Sequence, residues 1–294
     1  IPHALSVDEI EQQINDFVVC AELAAKAGYD GVEIMGSEGY LLNQFICRNT
    51  NKRDDQWGGS FANRTRFPLE IVRRIRQRLG QQYIVIFRLS ILDLINDGSN
   101  FDEVVKLALA LEKAGVNIIN SGIGWHETRI PTIASVVPRA SFVSITARLK
   151  KHINIPIVAC NRINTPEIAE SILQNGSADM VSMARPFLAD SHFVNKAKAD
   201  QANRINTCIA CNQACLDHIF VNKVASCLVN PRAGYETLLK FEPVVKPKKL
   251  AVVGSGPAGA MFAIYAAQRG HNVTLFERHA KLGGQLNLAA KIPG

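Results

Sequence analysis

One pattern constrains the fold more than any other. Between Ser6 and Phe187 the chain repeats a short, nearly continuous apolar run followed by a helix-length amphipathic stretch. Such runs suit parallel strands covered on both faces, and the intervening stretches are long enough for crossover helices. The runs fall at residues 31–35, 84–90, 117–121, 155–160 and 179–184. Helix ends are legible too. Ser6 and Glu9 form a capping box opening a helix that should end near Lys26. Thr165-Pro166-Glu167 supplies an N-cap, a first-position proline and a first-turn acid, and Gly115 and Gly176 stand where helices should stop.

Polar or glycine-bearing residues follow each run: Gly36 to Tyr40, Asp93, Gly122 to His126, Asn161-Arg162 and Arg185-Pro186. In a (β/α)8 barrel those positions line the active-site face. A closed barrel needs eight strands, and five runs precede Cys208. The sequence therefore leaves two α/β architectures open: an open doubly wound sheet, or a partial TIM (β/α)8 barrel lacking its first three strands.

Composition narrows the function classes. A chain of 294 residues suits about two domains, and 47% hydrophobic residues exclude wholesale disorder. Charges such as Arg88 and Asp93 interrupt the most apolar stretches, so no membrane span is expected. The start, Ile1-Pro2-His3, shows no initiator Met and no secretory signal, so the expectation is a soluble, cytoplasmic protein whose beginning is missing. The formal charge of +7 comes from scattered basic residues, which points to anionic small molecules rather than to nucleic acid.

Four of the seven cysteines follow the pattern Cys208-x2-Cys211-x3-Cys215-x11-Cys227. Four thiolates are the ligand set of a [4Fe–4S] cluster, and three closely spaced ones can wrap a face of the cube from one short loop. Zinc also accepts four cysteines, but its sites usually pair two C-x2-C knuckles, and one is present here. Cys20, Cys47 and Cys160 read as ordinary buried residues.

After the basic linker Lys246-Pro247-Lys248-Lys249, a strand at residues 250–253 runs into Gly254-Ser255-Gly256-Pro257-Ala258-Gly259, a helix to Arg269 and a strand at 272–277. Gly254, Gly256 and Gly259 suit a turn that lets a pyrophosphate approach a helix N-terminus, and Glu277 stands where an acid takes a ribose hydroxyl. That acid favours FAD or NAD over NADP at this site. Gly283-Gly284-Gln285 is either a second approach to the same cofactor or a plain loop. The expected organisation is a barrel part over 1–200, a cysteine-rich segment and linker over 201–245, and the start of a Rossmann-like FAD-binding domain over 246–294.

A cluster passes one electron at a time, so its neighbours should accept single electrons, which flavins do and nicotinamide does not. This argues for a second flavin in the β/α part. Arg88, at the end of its run, would set a cation against a reduced flavin, and Asn161-Arg162 and Ala184-Arg185 sit where barrels grip phosphate. Each arginine is equally readable as a salt-bridge partner. Tyr40 suits proton donation to a carbanion with His126 beside it, and both also read as surface residues.

The strings Val32 to Tyr40, Arg53-Asp54-Asp55-Gln56-Trp57-Gly58-Gly59-Ser60, Gly122 to Pro131, Asn161 to Pro166, Met180 to Leu188 and Asn206 to Cys215 together resemble the old-yellow-enzyme-like NADH:flavin oxidoreductase family. Within it they are most similar to the bacterial 2,4-dienoyl-CoA reductases, which carry a C-terminal FAD/NAD(P) half. The resemblance covers essentially the whole chain. It implies NADPH-dependent reduction of 2,4-dienoyl-CoA esters in unsaturated fatty acid β-oxidation, electrons passing from FAD through the [4Fe–4S] cluster to FMN. It implies Tyr40 as proton donor with His126 as its partner, and Arg88, Arg162, Ala184 and Arg185 on FMN. It further implies Gly254, Gly256, Ala258, Gly259, Glu277 and Gln285 on FAD, and Cys208, Cys211, Cys215 and Cys227 on the cluster. The loops Thr50-Asn51-Lys52-Arg53 and Glu127 to Arg129 would meet the acyl-CoA, with Arg53 a charge partner. Two rivals stay open: an amine dehydrogenase of the trimethylamine type, and a non-catalytic iron–sulfur electron carrier. The chain reads as a fragment of a longer polypeptide and is not expected to turn over alone.

Overall fold

The computed structural model describes residues 3–291, in two compact units that divide between Cys211 and Asn212. The first unit runs α1 (Val7–Lys26), β1 (Gly31–Gly36), α2 (Leu41–Ile46), α3 (Phe61–Arg64), α4 (Arg66–Leu79), β2 (Ile84–Leu92) and α5 (Phe101–Ala114). It continues through β3 (Ile118–Ile123), α6 (Val143–Lys150), β4 (Ile157–Ala159), α7 (Pro166–Gln174), β5 (Met180–Val181), α8 (Arg185–Ala189) and α9 (Phe193–Lys198).

All five strands are parallel and pair in chain order, β1-β2-β3-β4-β5. A doubly wound sheet reverses its strand order at a switch point, and this sheet does not. Each β/α unit adds its strand on the same side, so the architecture is a run of five consecutive units of a (β/α)8 barrel.

The helices are held by the faces the sequence gives them. In α1 the buried positions Ile10, Ile14 and Ala21 follow helical spacing, and in α4 so do Phe67, Ile71, Val72 and Ile75. These pack against fully covered strand residues such as Val85, Phe87 and Ile119. Each such side chain contributes roughly 1.5–3 kcal/mol on burial. The capping box of Ser6 and Glu9 is formed, Thr165 caps α7 with Pro166 behind it, and Gly115 ends α5 in the left-handed region. Asn175 caps α7, with Gly176 next at φ 66°.

Three sequence expectations are corrected. Cys20 is exposed, because Ile10, Ile14 and Ala21 define the inward face of α1 and Cys20 points off it. Arg88 does not end its strand, since β2 continues to Leu92. The last two strands are shorter than their apolar runs. β5, at the sheet edge, is held through two residue pairs with β4.

The second unit opens with one π-helical turn, Gln213–Asp217, and the short α10 (His218–Phe220). Its longest regular elements form a βαβ unit: β6 (Lys249–Val253), α11 (Pro257–Gln268) and β7 (Asn272–Phe276), the strands parallel and paired along their whole length, followed by α12 (Leu286–Ala289). No helix among the described residues is long and apolar enough to cross a membrane.

Candidate active site and cofactor clefts

Arg88 from within β2 and the residues that follow β4 and β5 enclose a cleft of about 190 Å³. Its lining brings together Arg88, Arg162 and the Ala184-Arg185 pair from three separate segments, with Cys160, Asn164 and Cys208 beside them. Arg162 sits in a loop where Asn161 and Arg162 both take positive φ, 65° and 57°. This conformation is rarely populated by residues other than glycine and is kept only where surrounding bonds demand it. Those bonds are the Arg162 Nε donation to the Val137 carbonyl at 2.7 Å and the Ala140 N–H donation to the Arg162 carbonyl at 3.1 Å. Burial, and then repulsion from Arg185 and Arg139, hold the Arg162 guanidinium below its usual range. A site that crowds like charges in this way is suited to an anion. Arg185 also donates to the Ile133 carbonyl at 2.9 Å.

Arg88 differs in having a carboxylate partner. Its Nε and Nη2 donate to Glu38 at 2.9–3.2 Å. Burial works against its charge, but the Glu38 bond and field outweigh it, so the guanidinium stays charged and is held above its usual range. Glu38 itself takes φ 54°, which turns the chain sharply between β1 and Tyr40.

Cys160 forms part of the same wall. Its Sγ donates to the Ser121 carbonyl at 2.6 Å, and burial pushes the thiol up to about 11. A thiol this far above neutral pH carries almost no thiolate, and the thiolate is the nucleophile. Iodoacetamide at pH 8 should therefore label the exposed Cys20 and leave Cys160 unmodified in the folded protein. Peptide mass mapping reads the result, and labelling of Cys160 at the rate of Cys20 would contradict the burial.

Tyr40 and His126 lie on the loops after β1 and β3, 86 residues apart, and meet there: His126 Nε2 stands 3.0 Å from the Tyr40 hydroxyl. Their rings pack edge to face at 5.2 Å. Tyr40 is 49% exposed, so its hydroxyl is open to an incoming molecule. Two glycines let the loops approach. A Cβ on Gly39 would lie 2.7 Å from the Trp125 ring, and one on Gly122 would lie 2.4 Å from the Ser37 Cβ.

The loop at residues 50–53 is largely occupied by its own fold. Thr50 Oγ1 donates to the Gln44 carbonyl, and Asn51 Nδ2 donates to the Phe45 and Trp57 carbonyls at 2.7–2.8 Å. Arg53 is turned inward, paired with Asp55 and donating to the Leu5 carbonyl at 2.5 Å, and the Asp55 bond holds it above its usual range. Lys52, Glu127 and Arg129 are exposed.

Cys208, Cys211, Cys215 and Cys227 are all free of disulfides and half-buried. Cys208 and Cys211 belong to the first unit, Cys215 and Cys227 to the second. Among the described residues no three of His, Cys, Asp and Glu form a group that could hold a metal ion. Four cysteine thiolates are, by their chemistry, the donor set that a [4Fe–4S] cubane takes, one at each iron.

The glycine turn of the second unit borders a cavity of about 1070 Å³ lined by Gly254, Ser255, Gly256, Glu277, Gly284 and Gln285 among others. Gly254 takes φ 94°, and a Cβ on Gly259 would lie 2.0 Å from the Gly254 carbonyl oxygen. Glu277 Oε2 accepts from the Ser255 N–H at 3.0 Å and its hydroxyl at 2.6 Å, and Oε1 accepts from the His279 N–H at 2.9 Å. Led by the Ser255 hydroxyl, these bonds hold the carboxyl down to about 2. Oε1, with one donor, keeps a lone pair for a further one, while Oε2 already accepts two. Ala258 is exposed on the first turn of α11 and is not part of the lining.

A basic cleft on the strand ends of a β/α barrel, in one chain with a dinucleotide turn, defines the class of flavin oxidoreductases linked to a pyridine nucleotide. The family description "NADH:flavin oxidoreductase / NADH oxidase family" matches residues 1–204, and an NAD(P)-binding Rossmann-like domain matches residues 252–290. The chain belongs to the NADH:flavin oxidoreductase / NADH oxidase family.

It is 44% identical to a metal reductase of Desulforamulus reducens over 293 residues, covering all of this chain and 44% of the relative. To an NADH oxidase of Thermoanaerobacter brockii it is 42% identical over 299 residues, covering 100% and 46%. A solved 2-naphthoyl-CoA reductase in complex with 2-naphthoyl-CoA superposes with a TM-score of 0.97 at 37% identity, over 99% of this chain and 45% of that one. The chain thus spans less than half the length of these relatives.

Proposed function

We propose that this chain belongs to a flavin-dependent reductase of conjugated acyl-CoA thioesters, with 2,4-dienoyl-CoA esters as substrate and NADPH as electron donor. The observation that carries the reading is the Tyr40 hydroxyl held 3.0 Å from His126 Nε2 at the strand ends. The similar protein bound to an aryl thioester of coenzyme A supports the substrate class.

FMN, when bound at the arginine cleft, would supply the hydride for a dienoyl thioester, whose carbonyl would spread the resulting charge. Arg162 and Arg185, which line that cleft, would hold its phosphate, and Arg88 would set a cation beside its ring. Tyr40 donates its phenolic proton to the substrate carbon, and His126, bonded to the same oxygen, orients the hydroxyl and returns the proton. Lys52 and Arg129 are the exposed cations offered to the coenzyme A phosphates, since Arg53 is engaged with Asp55. FAD is assigned to the second unit's cavity, its ribose on Glu277. A [4Fe–4S] cluster is assigned to Cys208, Cys211, Cys215 and Cys227, which would relay single electrons.

The test uses the full-length protein, reduced anaerobically by NADPH and mixed with a 2,4-dienoyl-CoA. The expected result is loss of the dienoyl absorbance together with reappearance of oxidised flavin, in protein that holds iron and acid-labile sulfide. Flavin reduction by trimethylamine, with no response to the thioester, would reverse the direction of the reaction. Zinc without sulfide would remove the cluster.

A further inference from the structure

Four hydrogen bonds converge on the carboxylate of Asp93, the residue after β2. Oδ1 accepts from Ser90 Oγ at 2.6 Å, Trp125 Nε1 at 2.9 Å and Asn43 Nδ2 at 3.4 Å, and Oδ2 accepts from the Ser99 N–H at 2.7 Å. Asp93 is 3% exposed, and all four donors are neutral. Burying a carboxylate on neutral donors is costly, and apolar packing would fix a loop more cheaply. The arrangement therefore calls for a reason beyond stability.

The bonds lead to both members of the proton-donating pair. Trp125 immediately precedes His126, its backbone N–H donates to the Asp93 carbonyl at 3.0 Å, and its ring lies against Gly39. Asn43, through Oδ1, accepts the Gly39 N–H at 2.9 Å, and Gly39 immediately precedes Tyr40. One carboxylate thus ties the loop after β1 to the loop after β3, one residue away from each partner. The Tyr40–His126 bond spans the same two loops and is the contact that such a tie would hold in register.

We propose that Asp93 is a positioning residue for proton transfer: it sets the two loops so that the Tyr40 hydroxyl and His126 Nε2 meet. It touches neither substrate nor the reacting atoms. The inference rests on Tyr40 being the proton donor.

The experiment is a double-mutant cycle in the full-length, flavin-loaded protein, with a 2,4-dienoyl-CoA as substrate, comparing Asp93→Asn, Tyr40→Phe and the double variant. Asp93→Asn is expected to lower kcat by about 10²-fold through misplacement of the donor. The thioester KM should stay within roughly twofold, with flavin content unchanged. The double variant is expected to be no slower than Tyr40→Phe, because a residue acting only through Tyr40 has nothing left to position. Losses that multiply would overturn the proposal and leave Tyr40 as the donor. An unchanged kcat in Asp93→Asn would overturn it as well. If Tyr40→Phe alone is fully active, the proton-donor reading fails and the proposal with it. Should Asp93→Asn not fold, Trp125→Phe keeps an aromatic side chain there and deletes the Nε1 donation to Asp93 together with the fused ring's contact on Gly39. The same non-additivity with Tyr40→Phe is then expected, and multiplying losses again count against the proposal.

Discussion

Tyr40→Phe is expected to lower the rate of thioester reduction by about 10²–10³-fold while NADPH still reduces the bound flavin at the wild-type rate. The substitution removes one oxygen and keeps the ring, so the edge-to-face packing on His126 at 5.2 Å survives and the loops after β1 and β3 have no cause to move. What disappears is the acid. Hydride arrival places negative charge on a conjugated thioester, and without a proton delivered at carbon that charge returns to the flavin side. Stopped-flow absorbance separates the two halves of the cycle. Flavin reduction unchanged and thioester-driven reoxidation slowed is the expected split. Equal slowing of both halves would make Tyr40 a structural residue, and no slowing of either would remove its role as the acid.

What the sequence shows and what it hides follow from the range of the interactions. The five strands and the caps at Ser6 and Thr165 are local, set by apolar runs and by side chains that reach three residues along the chain. The order of the strands is not local. Apolar periodicity states that a run is a strand but not which neighbour it pairs with, so a doubly wound sheet stayed open until the pairing was seen. The same limit applies at the site. The sequence marks Asp93 only as a polar residue after a strand, and its bonds come from Asn43 and Trp125, 50 and 32 residues away. Arg53 reads as a cation for a ligand because the sequence does not show that Asp55 folds back onto it. The residues of the arginine cleft could be picked out from the sequence because Arg88 lies within a strand and Arg162, Ala184 and Arg185 follow β4 and β5 within a few residues, at the end of the sheet where barrels place their sites.

The second large effect is expected at the dinucleotide turn, where two alanine substitutions should behave differently. Gly259→Ala places a Cβ 2.0 Å from the Gly254 carbonyl oxygen, a backbone atom that no side-chain rotation relieves, so β6 and α11 must separate. Gly254 and Gly256 line the cavity and Ser255 anchors Glu277, so this shift takes the whole cradle with it. A Cβ on Gly256 meets nothing within 4 Å, so Gly256→Ala leaves the turn intact and interferes only with a ligand that approaches the backbone closely. Both variants of the full-length protein should lose affinity for the nucleotide cofactor of this unit by more than about tenfold, equivalent to ~1.4 kcal/mol. Only Gly259→Ala should also lower the unfolding midpoint of the second unit. Acid release and chromatography of the bound flavins reads the outcome: FAD lost and FMN retained supports FAD at the turn. Retention of FAD with loss of NADPH-driven reduction would instead assign the turn to the nicotinamide nucleotide. Normal cofactor content in Gly256→Ala would mean that no pyrophosphate approaches that backbone.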